Sequence, residues 1–203
     1  MATASGQRLS IPLFPLHTVL FPDGPLPLRI FEPRYLDMVS RCLKTDTGLG
    51  ICLIREGSEV GSAPEVFDVG TLSTISYWNK RSDGLLGITV RGQQRIRILS
   101  RVVAPNQLLS AEVELIPNEP EVEVPAQFAY LAELAQRIIE QLEPPYTTME
   151  RRLDDAGWVG ARLTELLPLA LARKQEMLEL SDPIRRLDLL AQLLPELERT
   201  EGY

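Results

Sequence analysis

Few side chains in this sequence belong to the types that catalyse reactions at neutral pH. His17 is the only histidine, and its apolar surroundings, FPLHTVLFP, favour a hydrogen-bonded structural role. Eleven serines and three lysines would suffice for a serine–lysine dyad, but no spacing singles out a pair. Asp154 and Asp155 precede Gly157 in a pattern typical of a solvated helix start, with an acid/base or metal site as the alternative. The sequence therefore predicts no catalytic residue.

Nucleotide and metal sites are not indicated either. Lys44 is followed by a threonine but lacks the glycines that hold a phosphate, so no ATPase site is predicted. Cys42, Cys52 and His17 offer too few ligands for structural zinc, and the two cysteines are predicted to be reduced and partly buried. We expect neither a metal nor a cofactor.

A row of arginines is the first candidate for a binding surface. All of them occupy odd positions of one predicted strand, RGQQRIRILSR, and would line the same face: Arg91, Arg95, Arg97 and Arg101. Such a face could receive acidic peptide segments. The alternatives are a solvated surface and an internal contact with the acidic C-terminal half of the chain.

A pair of aromatic residues is the second candidate. Tyr77 and Trp78 lie at the end of a predicted hairpin strand, where aromatic side chains could anchor a ligand. Core packing explains them equally well. The candidate polypeptide-binding residues are therefore Tyr77, Trp78, Arg95 and Arg97.

The first half of the chain has the residue pattern of strands. Apolar residues alternate in LSAEVELI (109–116) and run continuously in GLGICLIRE (48–56), and two further strands flank the turn pair Asp83-Gly84. One helix interrupts them, beginning at Pro33, because proline suits the first helical turn. Its predicted buried face consists of Tyr35, Leu36, Val39, Cys42 and Leu43.

The second half has the pattern of helices. Residues 116–125, with three prolines and three glutamates, are predicted to form a linker, after which apolar residues recur at steps of three and four. The last helix is expected to follow Ser181 or Asp182 and to be kinked or ended by Pro195. The fold class is α+β, with a β-rich subdomain over residues 1–118 and a helical bundle over 119–203.

Charge and hydropathy argue against several partners. Residues 1–118 carry 12 Lys/Arg and 11 Asp/Glu, whereas residues 119–203 carry 9 and 17, so the net charge changes from +1 to −8. An acidic half does not favour nucleic-acid binding. No apolar run approaches the ~20 residues needed to cross a bilayer, and MATASGQRLS lacks the features of a secretory signal. We expect no nucleic-acid or membrane partner and a cytoplasmic location.

One stretch sets charges among apolar residues and prolines. LFPDGPLPLRIFEPRY (20–35) places Arg29, Glu32 and Arg34 close together, and a buried charge without a partner would be very unfavourable. We therefore predict that Glu32 pairs with Arg29, with Arg34 or with both.

This stretch also carries a family resemblance. IPLFPLHTVLFPDGPLPLRIFEPRY, then DVGTLSTI and DGLLGITVRGQQRIRI, resembles the N-terminal substrate-binding domain of Lon proteases, and ARLTELLPLALARKQEMLEL and RRLDLLAQLL resemble its later helices. The resemblance extends from about Leu9 to Leu194. The resemblance implies a PUA-like pseudobarrel followed by helices. It does not extend to the family's ATPase and Ser-Lys peptidase modules.

In terms of that family, the stretch is interpreted as a structural signature. Its residues are Arg29, Glu32, Pro33, Arg34 and Tyr35. The preceding prolines, Pro22, Pro25 and Pro27, are expected to prevent regular strand pairing.

The resemblance implies a non-catalytic module that binds unfolded or degron-like polypeptide, or an adaptor that meets a protease or another protein partner. Two other functions stay open. A hydrolase would need a serine within reach of His17 or of Lys44, Lys80 or Lys174. RNA binding, suggested only by a PUA-like fold, would need a continuous positive surface along the arginine row.

Overall fold

The computed structural model describes the backbone of residues 7–200 and the side chains of residues 7–197. The chain divides after Pro117 into two compact units. The first unit is rich in strands and the second is helical, which confirms the predicted order of secondary structure.

The strands of the first unit are β1 Arg8–Leu16, β2 Pro25–Ile30, β3 Leu49–Glu56, β4 Glu65–Val66, β5 Val69–Lys80, β6 Leu86–Val103 and β7 Leu109–Leu115. Five of them close on themselves. β7 pairs with β1 and β6, β5 with β6 and β3, and the parallel pairing of β1 with β3 completes a ring of five strands. Closure leaves these five strands without a continuous open edge. This is expected of a pseudobarrel, and the more specific PUA-like description stays a prediction.

One helix, α1 Pro33–Thr45, packs against this sheet. It begins at the predicted proline, but its buried face differs from the prediction. Leu36 and Leu43 are 37% and 40% exposed, while Arg34 and Met38 are buried. The buried face of α1 therefore includes a charged residue, Arg34, which hydropathy alone does not assign to it. The core members of α1 are Tyr35, Met38, Val39 and Cys42, which share one cluster with Phe14, Leu16, Ile30, Leu49, Ile51, Ile88 and Val90.

The expectation that prolines would prevent strand pairing is wrong for β2. Pro25 and Pro27 both lie within it, and β2 pairs with β6 along its whole length. The pairing is possible because Gly92 N donates to Gly24 O, which makes the even-numbered residues of β2 the hydrogen-bonded ones. The backbone groups of the odd-numbered residues point away from β6, so a proline at these positions removes no hydrogen bond from the pairing.

The second unit contains a 3-10 turn and four α-helices in its described part. They are the turn Ala126–Phe128, α2 Ala129–Glu140, α3 Ala156–Leu166, α4 Leu171–Glu179 and α5 Pro183–Thr200. Asp155 caps α3 by accepting from Gly157 N and Trp158 N, as the helix-start interpretation of Asp154-Asp155 predicted. Asp182 accepts from two N–H groups at the start of α5. Pro195 does not end that helix, which continues to Thr200.

The segment predicted to be a linker is instead built into the helical unit. Val124 N donates to Asp154 O and Ala156 N donates to Val122 O. Glu119 accepts two hydrogen bonds from the guanidinium of Arg186, a side chain that is fully buried. Glu119 therefore has a buried structural partner, which the composition of the segment could not reveal.

Gly92 should be intolerant of a side chain. A Cβ at this position would collide with the carbonyl oxygen of Phe21 and lie 2.9 Å from its carbonyl carbon. We expect Gly92→Ala to lower the free energy of unfolding by about 1–3 kcal/mol, measured by urea denaturation. Gln93→Ala, at the next and exposed position, should change it by less than about 0.5 kcal/mol. Equal effects of the two substitutions would contradict the close approach.

Candidate functional site

The predicted arginine row does not exist as a single face. In the pairing of β6 with β5, Gln94 lies opposite Leu72 but Gly92 lies opposite Ser73, so Gln93 is an extra residue in β6. A one-residue insertion moves the side chains beyond it to the other face. Arg91 and Arg95 therefore project from opposite faces.

A second irregularity separates the other end of the row. Ile98 pairs with Val113 and Ser100 with Glu112, which makes Leu99 an extra residue and sets Arg97 and Arg101 on opposite faces. Period-2 alternation assumes a regular strand, and two insertions in β6 make that assumption fail.

The two arginines of the row that were predicted to bind polypeptide also differ in exposure. Arg95 is only 3% exposed, and its strand neighbour Thr71 is fully buried, with its hydroxyl donating to Leu20 O. From this position Arg95 cannot contact a polypeptide at the surface. Arg97 is exposed.

Tyr77 and Trp78 lie on an exposed arm formed by the ends of β5 and β6. Each is 59% exposed, so core packing does not explain either of them. As consecutive strand residues they point to opposite faces. Trp78 pairs with Ile88 and shares the face of the buried core cluster.

The structure shows a surface cleft that the sequence reasoning missed. We call it the β2 cleft; its volume is ≈ 170 Å³. Its apolar lining consists of Phe14, Leu16, Pro27, Leu28, Ile30, Phe31, Tyr35 and Val60, and its charged lining of Arg29, Glu32 and Glu59. The two side chains that protrude from it are Phe31, 56% exposed, and Val60, 49% exposed. None of the arm residues or arginine-row residues lines it.

Arg34 contacts two of the residues that line this cleft, Glu32 and Glu59. Its side chain is 4% exposed, and its Nη2 lies 3.0 Å from Oε2 of Glu32. The guanidinium also donates to Gln107 O at 2.8 Å and to Glu59 O at 3.3 Å. The prediction that Glu32 pairs with a neighbouring arginine is therefore confirmed for Arg34, whereas Arg29 is exposed.

The loop of residues 57–64 forms one wall of the β2 cleft and is fixed from several sides. Gly57 and Gly61 adopt positive φ angles, which glycine tolerates without strain. Ala63 N donates to Oε1 of Gln107, and Oε1 of Glu59 accepts from His17 N at 2.6 Å. Glu59 thus connects this loop with the end of β1.

His17 has a structural contact, but it is not buried. Its ring Nδ1 lies 3.5 Å from Glu59 Oε1, and its side chain is 49% exposed. The apolar residues around it in the sequence pack inward, while the imidazole itself faces outward.

The lining of the β2 cleft is mostly apolar, and its two carboxylates, Glu32 and Glu59, contact Arg34 and His17. It contains no serine, lysine or histidine. Burial raises the pKa of Tyr35, which keeps its hydroxyl protonated. Elsewhere, burial lowers the pKa of Lys174, but its Nζ donates to Glu165 O rather than to a serine. Among residues 7–197, no group of three or more His, Cys, Asp or Glu side chains could hold a metal ion.

Both cysteines are free and buried, as predicted. Burial raises the pKa of Cys42, and it raises the pKa of Cys52 to about 12. Since the thiolate is the nucleophile, neither side chain is a reactive cysteine. No helix in the described part of the chain combines the length and apolarity that a membrane crossing requires.

A closed β-rich unit followed by a helical unit, with a small apolar cleft on the former, defines the class of this domain. The chain belongs to the family of the ATP-dependent protease La (LON) substrate-binding domain, whose model matches residues 10–196. The confirmed resemblance thus covers nearly the whole chain. Curated relatives include Lon protease of Vibrio parahaemolyticus, 26% identical over 91% of this chain, and Lon protease of Escherichia coli K12, 25% identical over 93%. The chain spans about a quarter of their length, 24% and 25%.

Solved structures give the same result. A Lon N-terminal domain protein from Xanthomonas campestris is 35% identical, with a TM-score of 0.73 over 91% of this chain and 98% of that one. The N-terminal domain of a Mycobacterium avium complex Lon protease shares the fold, with a TM-score of 0.60 over 91% and 97% at 18% identity.

Loss of Glu32 should destabilise the first unit, because buried Arg34 would lose its only carboxylate partner in the described structure. We expect Glu32→Ala to lower the free energy of unfolding by about 2–3 kcal/mol and to lower the melting temperature, measured by circular dichroism. Asp37→Ala, which removes an exposed carboxylate on the same helix, is the control and should change stability by less than about 0.5 kcal/mol. Unchanged stability of Glu32→Ala would show that the pair contributes nothing.

The thiols of Cys42 and Cys52 should react with a reagent only when the protein unfolds. At about pH 8 we expect both cysteines to react with a thiol reagent only in denaturant, since burial disfavours the thiolate. A Cys42→Ser variant assigns any signal to Cys52. Rapid stoichiometric labelling of native protein would contradict the burial of these side chains.

Proposed function

We propose that this chain is a polypeptide-binding module whose β2 cleft receives an apolar side chain from an unfolded or degron-like segment. The observation that carries this proposal is the exposed apolar lining of the cleft, Phe31 and Val60, in a chain that belongs to a substrate-binding family. Each Å² of apolar surface buried by a client contributes about 25 cal/mol before ordering costs are subtracted. Folded proteins bury such side chains, so the cleft would favour unfolded clients.

We propose further that these residues bind without cutting. The family match covers the substrate-binding part and only about a quarter of the length of full Lon proteases. The absence of serine, lysine and histidine from the cleft lining supports the same view. Delivery of a client to a protease partner, with this chain as an adaptor in the cytoplasm, is the corresponding biological role.

The fold offers little support for RNA binding. Such binding required a continuous positive surface, whereas the arginines of β6 point to different faces and Arg95 is buried. Arg101 lies within ion-pair distance of Glu65 and Asp68.

The test is a fluorescence-anisotropy titration with a labelled, permanently unfolded polypeptide, using the folded form of the same sequence as control. We expect saturable binding of the unfolded form, and we expect Phe31→Ser and Val60→Ser each to weaken it by about 1–2 kcal/mol, or about 5- to 30-fold. Leu43→Ser, an exposed apolar residue of α1 outside the cleft, is the matched control and should bind as the unaltered protein does.

The same titration separates the two candidate surfaces. Tyr77→Ser and Trp78→Ser remove the aromatic residues of the arm, which stay proposed contacts. Weakening by these two variants alone would move the site to the arm and would contradict the cleft. Intact-mass measurement of the polypeptide after incubation with and without ATP should show no cleavage, and a cleaved product would refute the non-catalytic assignment.

A further inference from the structure

The β2 cleft runs along the edge of a strand rather than over its face. Six consecutive residues, 27–32, contribute to its lining, whereas a cleft on one face of a strand would take only alternate residues. Within the described sheet, β2 pairs with β6 alone, so its other edge is not bonded to a strand. The backbone of β2 is therefore accessible from the cleft.

The hydrogen-bonding groups of that edge follow from the pairing. Gly92 N donates to Gly24 O, and the register continues as Leu26 opposite Val90 and Leu28 opposite Ile88. Even-numbered residues of β2 therefore bond to β6, and the outward backbone groups belong to Pro25, Pro27 and Arg29. Of these three residues, only Arg29 has an N–H.

The side chains along this edge alternate in chemistry. Leu28 and Ile30 lie on the face of the core cluster, together with the cleft residues Phe14 and Leu16. Arg29 lies on the opposite face and is exposed. A residue paired with Arg29 would lie beside its guanidinium, while the two residues flanking it would point towards the apolar lining.

The charge at Arg29 is available to a ligand. Among the described residues Arg29 makes no ion pair, and it contributes in a minor way to lowering the pKa of Asp83. The two carboxylates of the cleft are already engaged, Glu32 with Arg34 and Glu59 with His17. An acidic residue is therefore the complement at this position.

We infer that the β2 cleft binds its client by strand addition: an extended segment of the pattern apolar–acidic–apolar pairs antiparallel with β2, its acidic residue opposite Arg29. Added strands gain affinity from backbone hydrogen bonds and specificity from alternate side chains. Here both hydrogen bonds at Arg29 go to one client residue, which fixes the register. This inference rests on the proposed function and adds to it the binding mode and the sequence preference.

The test uses short labelled peptides and the whole chain. The reference peptide has Ile-Glu-Val at its centre within a Thr/Ser frame. One comparison peptide carries lysine in place of glutamate, a second has the order Ile-Val-Glu, and a third carries an N-methyl group on the glutamate. Fluorescence anisotropy gives the dissociation constant of each, with the unfolded polypeptide titrated alongside.

We expect the lysine peptide to bind about two- to fivefold more weakly, as for an exposed ion pair. The N-methyl peptide should bind about three- to tenfold more weakly, because it cannot donate to Arg29 O. The reordered peptide should also lose affinity, since one apolar side chain would point away from the cleft.

A charge reversal in the protein makes the test specific. Arg29→Glu should invert the preference, so that the lysine peptide binds more tightly than the reference peptide. Arg41→Glu, at an exposed arginine two turns into α1, is the control and should leave the original order unchanged. Melting temperatures verify that both variants are folded.

The outcomes separate this inference from the proposed function. If the unfolded polypeptide binds but N-methylation and charge reversal have no effect, the cleft binds side chains without strand addition and the inference is overturned alone. If neither the unfolded polypeptide nor any peptide binds, both proposals fail.

Discussion

The buried guanidinium of Arg34 is the interaction on which the surrounding structure depends. A cation removed from water is tolerated only when hydrogen-bond acceptors surround it. Arg34 takes its acceptors from three places in the chain: Glu32 just before α1, the 57–64 loop through Glu59 O, and the turn between β6 and β7 through Gln107 O. The contacts of its two terminal nitrogens therefore fix three segments relative to one another, and two of those segments form walls of the β2 cleft.

The same residue links the polar network to the apolar floor of the cleft. The guanidinium carbon of Arg34 lies 4.6 Å from the ring centroid of Tyr35, and that ring stacks on Phe14 with centroids 4.3 Å apart. Cations and aromatic faces attract one another most where water is excluded. This arrangement explains why charges occur in an apolar, proline-rich stretch: the charge at position 34 organises the core, and the charge at Arg29 remains at the surface.

Local patterns predicted the elements well and the site poorly, for identifiable physical reasons. Strand alternation and helical spacing depend on nearby residues, so the start of α1 at Pro33 and the cap at Asp155 could be predicted. The insertions at Gln93 and Leu99 depend on how β6 pairs with two different partners, and they separated arginines that the sequence places in one row. The cleft joins residues as distant as Phe14 and Val60, and no local pattern contains that proximity. Arg29, Glu32 and Tyr35 line the cleft, although the sequence pattern assigned them a structural role only.

In the proposed binding mode, the prolines of β2 limit self-association. A protein that binds unfolded chains by an accessible strand edge also offers that edge to its own copies and to aggregation. Pro25 and Pro27 remove two of the three outward N–H groups of β2, so an added strand of arbitrary sequence forms an incomplete ladder. Each lost backbone hydrogen bond forgoes about 0.5–1.5 kcal/mol, which is comparable to the gain from burying part of one apolar side chain. Pairing alone is then too weak to hold a chain, and side chains that fit the cleft decide which segments stay bound.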